Sequence, residues 1–517
     1  MIHVVWFKRD LRISDHEPLA EAAQRGTVLP LYVFEPDVWA SPDMSQRHRW
    51  WVTESVKELR ETLKALGQPL IVRTGEVTEV LREIRSIVGP FTLWSHEETG
   101  NGQTFDRDKG VAAWCAAHDV EWHECAQFGV VRRLKDRDRW SQQWEACMGR
   151  SSVSPPGRLD PVTIDPGEIP ACALDGDLSL FQLPGETAAF QCLQSFLHQR
   201  GELYNRAISS PERAALHGSR LSPYLAWGNI SMKTVVQRTR RRRERLAALP
   251  FSERGTWSRA LSGFESRLHW HCHFIQKLES EPSIEHKCFV STFDEMRSPY
   301  FNQSLLKAWE EGITGYPFVD ACMRSLRATG WINFRMRAML TSFAAYDLFL
   351  DWRTFGHHLS RQFLDYEPGI HYSQLQMQSG TTGINTLRIY DPVKQGYDHD
   401  PQGTFIKRWI PELAALPPEI IHEPWKMTPL DLRQFGIELG NSYPNRIVDH
   451  AVAVKRAREV LATFRKKPET RGEAKAVLRK HGSRSSGTRR SRSASKTSSK
   501  QRPSRHVQVS LFESDET

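Results

Sequence analysis

Asp365 and Glu367 stand two residues apart at the end of the stretch Gly315–Glu367, and Arg335 and Arg337 stand two apart roughly a helix-length earlier. The arginines fall on mostly apolar turns. An unpaired buried charge is costly, so the two carboxylates are expected to serve as their partners. Two readings of that meeting stay open: a structural ion pair between helices, or a polar wall around a bound ring system. A second constellation is Gly218-Ser219-Arg220-Leu221-Ser222-Pro223-Tyr224-Leu225, preceded by Tyr204. Ser222 before Pro223 predicts a helix start, a hydroxyl cap followed by Pro at the first helical position. Ser219, Arg220 and Ser222 then place two hydroxyls, a guanidinium and free backbone N–H groups at one helix N-terminus, chemistry that suits a pyrophosphate. The competing reading is an ordinary capped helix. A third group, His269, His271, Cys272, His273, His286 and Cys288, offers nitrogen and sulfur ligands, with His269 and His273 four apart. It lacks the tight spacing of known metal sites, so no metal is expected.

The elements that position these residues are legible as periodicity. Val319, Cys322, Met323 and Leu326 mark one helix, and Met336, Met339, Leu340, Phe343 and Tyr346 a second, with Gly330-Trp331 as the break. Residues 1–148 read differently. Short apolar runs at Ile2–Phe7, Val28–Phe34, Pro69–Arg73, Phe91–Ser95 and Val120–Glu124 predict strands. Between the second and third, Val52, Val56, Leu59, Leu63 and Leu66 form one helix face. Strand and helix in alternation predict an α/β domain with a parallel doubly wound sheet. No G-x-G-x-x-G follows the first strand, so a dinucleotide on this domain is not supported. Residues 149–184 are rich in Pro and Gly and read as a linker; residues 185–465 are expected to be a large all-α domain. From 466 to 517 the chain is dominated by Ser, Arg and Lys and is expected to be a disordered tail.

Composition bounds the rest. The chain has 517 residues, 39% of them hydrophobic, and 17 Trp. Its net charge of +9 lies in the tail, which carries 14 Lys and Arg against 5 Asp and Glu, while the remainder balances at 56 of each. A nucleic-acid face on the body must therefore come from clustering. The densest cluster is residues 238–245, RTRRRRER, either a solvated helix end or a phosphate-facing patch. Eight scattered Cys without C-x-x-C spacing argue for a reduced, cytoplasmic protein and against an iron–sulfur cluster. The opening residues do not read as a signal peptide, and no apolar run is long enough to span a membrane.

Taken together, Tyr204-Asn205-Arg206, Gly218–Leu225, Glu311–Pro317, Gly330-Trp331, Asp351-Trp352-Arg353, Asp365-x-Glu367, Tyr390-Asp391-Pro392 with Gln395, and Trp409–Leu413 resemble the photolyase/cryptochrome family, as does the opening Val5–Arg12. The match runs in order over about residues 1–430. The resemblance implies FAD held in the all-α domain. It places Tyr204, Ser219, Leu221 and Ser222, with Arg220, at the phosphates. Phe264, Arg337, Asp365, Tyr366, Glu367 and His371 are then expected around the cofactor. Trp270, Trp352, His371 and His271 become the candidate catalytic residues. Arg267, Trp270, Phe334, Arg335 and Met377 become the DNA-facing ones. Whether a second, antenna chromophore of folate or deazaflavin type sits on the N-terminal domain, residues 1–148, stays open.

Departures from the family pattern bear on activity. Arg267 stands where dimer-splitting members place a Glu, and Arg cannot accept a hydrogen bond from a base. His271-Cys272-His273 replaces Arg-Glu-Phe. Phe334 and Ala338 stand for Asn and Met, and Leu375 and Met377 for Trp. Of the family's three-Trp electron wire Trp352 is kept, with Pro299 next to Tyr300 at its distal end. His371 lies where the residue facing flavin N5 belongs, and a core His is the alternative. The expected function is light-dependent repair, in which reduced FAD passes an electron to a pyrimidine dimer flipped out of damaged DNA. The alternatives are a cryptochrome-like photoreceptor without repair, or a (6-4)-type variant with His271 or His273 as proton donor. The tail ends on Gln508-Val509-Ser510-Leu511-Phe512, which resembles the peptide that docks bacterial repair proteins on the sliding clamp, through Gln508, Leu511 and Phe512. A monomer is expected.

Overall fold

The computed structural model describes residues 1–174 and 176–482. The Gln508–Phe512 peptide lies outside them. Five strands form one parallel sheet in the order β3-β2-β1-β4-β5: β1 Ile2–Phe7, β2 Thr27–Phe34, β3 Ile71–Thr74, β4 Phe91–His96 and β5 Trp122–Cys125. β1 is central, with Val4 opposite both Leu29 and Leu93. Its near-continuous apolar run reflects burial on both faces, as parallel sheets covered by helices require. The helix that the four- and three-residue steps predict is Gln46–Ala65, and it buries Val52, Val56, Leu59 and Leu63.

The Pro- and Gly-rich connector runs along the sheet's β3 side. Leu159 N–H donates to Leu66 O at 2.7 Å and Val72 N–H to Pro166 O at 2.8 Å. The linker therefore satisfies a backbone donor of the β3 edge, at Val72, and a carbonyl at the end of the helix Gln46–Ala65. A helical body follows, opening on Glu186–Ser195 and built around the long helix Trp257–Ser280. The described residues contain no helix long and apolar enough to cross a membrane.

Two expectations need correction. The chain does not lose structure at Lys466, because Pro468–His481 is a helix. Thr470, Ala474, Val477 and His481 fall on one face and pack inward, and His481 Nε2 lies 2.6 Å from Glu281 Oε2. The Lys and Arg content of this stretch sits on the other face and masked that stripe. The RTRRRRER cluster, in turn, is largely engaged within the protein. Arg240 binds Glu265 at 2.6 Å and Glu145 at 2.7 Å, Arg243 also binds Glu265, and Arg238 stacks on Phe190. Arg238, Arg241 and Arg245 nonetheless remain exposed.

The two units are joined through the turn after β1. Leu11 N–H donates to Trp227 O at 3.2 Å, buried Arg12 donates from Nη1 to Gly228 O at 3.0 Å, and Asn229 Nδ2 donates to Leu11 O at 3.2 Å. Gly228 has φ +69°, and a Cβ there would lie 2.1 Å from Arg9 O. Gly228→Ala should therefore destabilise the protein by more than about 2 kcal/mol, from left-handed strain plus displaced backbone. Urea unfolding followed by tryptophan fluorescence measures this, and an unchanged midpoint would refute the assigned close approach.

Candidate functional site

Arg337 lies on the helix Phe334–Ser342, and Asp365 follows the helix Trp352–Gln362. Arg337 Nη2 donates to Asp365 Oδ2 at 2.7 Å and Nε to Ile332 O at 2.8 Å, and the guanidinium lies 4.1 Å from the Phe363 ring centre. One expected pairing is thus formed. The other is not. Glu367 pairs with Arg9, Oε2 to Nη2 at 3.3 Å, and Arg335 donates from Nε to Ser209 Oγ at 3.0 Å. Arg9 is delivered by the β1 turn, a neighbour that no spacing along the chain reveals.

Arg337, Asp365 and Glu367 line a cavity of about 500 Å³ whose walls are otherwise largely apolar, among them Phe334, Ala338, Leu359, Phe363 and Leu375. Asp365 Oδ1, Glu367 Oε1 and both amide atoms of Gln374 are buried with no hydrogen-bond partner among the described residues. Each such atom costs about 1–3 kcal/mol if nothing meets it. Four of them on three residues lining one cavity mark a place for a ring that both donates and accepts hydrogen bonds. Gln374 gave no signal in the sequence, being one amide on the helix Pro368–Ser379.

His371 also lines this cavity. Its Nε2 lies 3.0 Å from Gly356 O, which assigns the proton to Nε2 and leaves Nδ1 as an acceptor. Burial holds its pKa down to about 3, so it is neutral. Tyr366 donates from its hydroxyl to Asp43 Oδ2 at 2.5 Å. Trp352 is buried behind Tyr372, ring centres 6.2 Å apart, and its Nε1 points to Cys288 Sγ at 3.4 Å.

The Ser219–Ser222 corner keeps part of its expected chemistry. The helix is short, Ser222–Ala226, and its N-cap is Leu221 without a side-chain cap bond, one residue before the expected Ser222. Arg220 sits at φ +59°, stacks 3.9 Å from the Trp331 ring centre and donates from Nε to Gln182 Oε1 at 3.0 Å. Burial lowers its pKa to about 10, with Asp365 opposing, so this corner lies within electrostatic reach of the cavity. Ser222 Oγ accepts from Trp331 Nε1 at 3.3 Å. Tyr204 and Phe264 pack edge to face with each other, ring centres 5.8 Å apart.

On the outer side, Arg267 and Arg388 both act electrostatically on Arg335, so three guanidinium groups gather near Phe334. Trp270 is half-buried against His273 and Phe274. Met377 is half-buried and does not line the cavity. Burial pulls the His271 pKa down to about 4, its ring faces Phe128, and its Nδ1 has no partner among the described residues. His273 accepts from Arg137, while His269 packs on Trp140 and Trp144. The His and Cys set weighed as metal ligands is therefore not gathered. A different trio is: Asp10 Oδ2 lies 3.0 Å from His16 Nε2 and 2.6 Å from His96 Nδ1. These groups satisfy one another, and Asp10 Oδ1 accepts the Lys8 N–H at 2.6 Å.

A second cavity, about 660 Å³, opens at the carboxyl ends of β1 and β2, where ligands bind in parallel sheets. Arg9, Tyr32, Glu35, Glu98, Arg107 and Tyr366 are among its walls. Arg107 bridges Glu35 at 2.8 Å and Glu98 at 2.5 Å. Tyr366 belongs to both cavities.

Residues 3–133 match the family described as DNA photolyase, and residues 264–463 the FAD binding domain of DNA photolyase. Cryptochrome-2 of Arabidopsis thaliana is 30% identical, over 89% of this chain and 78% of its own length. The deoxyribodipyrimidine photo-lyase of Agrobacterium fabrum is 29% identical, over 90% of this chain and 98% of its own. The solved bacterial class III photolyase from Agrobacterium tumefaciens superposes with a TM-score of 0.77 at 27% identity, covering 90% of this chain and 98% of that one. The five-stranded parallel sheet, the helical body with its Arg337–Asp365 cavity and these matches agree on one assignment: the chain belongs to the photolyase/cryptochrome family.

Proposed function

We propose that this chain binds FAD in the Arg337–Asp365 cavity and repairs pyrimidine dimers in DNA under light. The supporting observation is the set of unpartnered buried atoms, Asp365 Oδ1, Glu367 Oε1 and the Gln374 amide, on an otherwise mostly apolar cavity. Apolar walls suit an aromatic ring, and those atoms suit its N–H and carbonyl groups, so the residues present fit a flavin. Bound FAD supplies light-driven one-electron transfer to the lesion. The chain's own residues hold the ring, exclude water and place DNA. Asp365 accepts hydrogen bonds and is itself fixed by Arg337. Neutral His371 offers Nδ1 as an acceptor without adding charge. Arg267, Arg335 and Arg388 supply positive charge for phosphates near the mouth, and Trp270 an apolar face for a base.

A photoreceptor reading has its own support. Arg267 holds the place of a carboxylate that would accept from the lesion, and Leu375 puts an aliphatic wall where an electron donor would stand. The second cavity is proposed as the antenna site, because it opens at the sheet's carboxyl edge, where parallel sheets bind ligands. Docking of the Gln508–Phe512 peptide on a sliding clamp belongs to the repair reading.

Arg337→Met and Asp365→Asn should each weaken FAD binding roughly 30-fold or more, the equivalent of about 2 kcal/mol for breaking a buried charge pair. The flavin absorbance kept after desalting reports this; full retention would overturn the cofactor site. Illuminated protein should convert dimer-containing oligonucleotide to intact pyrimidines. Bound FAD with no dimer loss would turn the assignment to a photoreceptor. Leu511→Ala with Phe512→Ala should abolish clamp binding in a pull-down with purified clamp.

A further inference from the structure

We propose that Arg9, a residue of the α/β unit, is the positioning residue that keeps Glu367 ionised at the cavity and so sets the charge that a bound flavin meets. This rests on the flavin reading of that cavity. Glu367 is 4% exposed, and its Oε1 has no partner among the described residues. The groups that face it come from four elements. Arg9 and Lys8 follow β1, and Glu97 and Glu98 follow β4; these four line a small pocket of about 250 Å³ with Glu367. Cys272 approaches from the helix Trp257–Ser280, and the Gly369 N–H from the helix Glu367 precedes. Burial, with Glu98, raises the Glu367 carboxyl above its ordinary value, and Arg9, with the Gly369 N–H, opposes that rise in favour of the carboxylate. Among these, Arg9 is the group whose positive charge is placed at 3.3 Å.

Arg9 is also fixed. Its Nε donates to Ala226 O at 2.9 Å and its Nη2 to Tyr366 O at 2.6 Å, and the guanidinium stacks 4.8 Å from the Trp227 ring centre. The cavity then contains two carboxylates, each with its own arginine: Asp365 with Arg337 inside the helical body, and Glu367 with Arg9 from across the domain boundary. Without Arg9, Glu367 would be a buried carboxylate with no guanidinium beside it, the condition that favours its protonated form.

The test uses the full chain, with and without FAD. In Arg9→Gln the Glu367 midpoint should rise by about 1–3 pH units relative to wild type. Infrared titration would show this as a protonated-carboxyl band that persists to higher pH and disappears in the double variant with Glu367→Gln. With FAD bound, the flavin reduction potential should gain an inflection over the same range, lower on its alkaline side, where an uncompensated carboxylate disfavours electron uptake. Arg9→Lys should restore wild-type behaviour in both measurements. A wild-type titration in Arg9→Gln overturns the proposal, as does a shifted band that survives Glu367→Gln. Should Arg9→Gln fail to fold, Glu367→Gln alone decides: its potential must rise, and an unchanged potential overturns the proposal. If the chain takes up no FAD, the flavin reading fails, and the infrared arm still judges the hold of Arg9 on Glu367.

Discussion

The turn after β1 is the constraint on which the rest depends. Within five residues it anchors the α/β unit to itself, through Asp10 with His16 and His96, and to the helical body, through Arg9, Leu11 and Arg12. The polar contacts are made to backbone carbonyls as well as to side chains. A buried arginine finds in carbonyls a partner that needs no counter-charge, and Arg12, 1% exposed, is satisfied by three of them. The two units also share one hydrophobic core, in which Trp51 and Val56 cluster with Leu193, Tyr224 and Leu225 of the helical body, so that they form one platform against which both cavities are defined.

Charge placement follows the same logic elsewhere. Arg107 meets Glu35, Glu98 and Asp108, and Lys8 meets Asp108 at 2.7 Å. Burial raises the Glu35 carboxyl, while Arg107 pulls it back. Such networks add little net stability, since desolvation offsets attraction. Their value lies in holding polar side chains in one geometry around a space, which a purely apolar wall cannot do.

How much of this was legible from sequence depends on the range of the interaction. Strands buried on both faces announce themselves by composition, and Ile2–Phe7 is read residue for residue. β3 starts at Ile71 rather than Pro69. Arg337 and Asp365 were findable because a charge on an apolar helix demands a partner and few were near. Arg9 for Glu367 was not, because 358 residues separate them and the partner lies in another domain. Asp43 under Tyr366 was hidden for the same reason. The helix Pro468–His481 was hidden otherwise: its inward face is one Thr, one Ala, one Val and one His, too weakly apolar to show against the basic residues around it.

Tyr366 stands between the two cavities. Its ring belongs to the walls of both cavities, its carbonyl accepts from Arg9, and its hydroxyl is held by Asp43, which Ser41 and Asn101 also bind. Burial would raise the Asp43 carboxyl, but these three donors hold it below its ordinary range, so the phenol keeps a charged acceptor. The residue is thus clamped at both ends by the α/β unit while it sits in the helical one. Arg9 thus touches both the Tyr366 carbonyl and the Glu367 carboxylate from the β1 turn. The two spaces therefore share one wall residue, and that residue is held from the α/β unit.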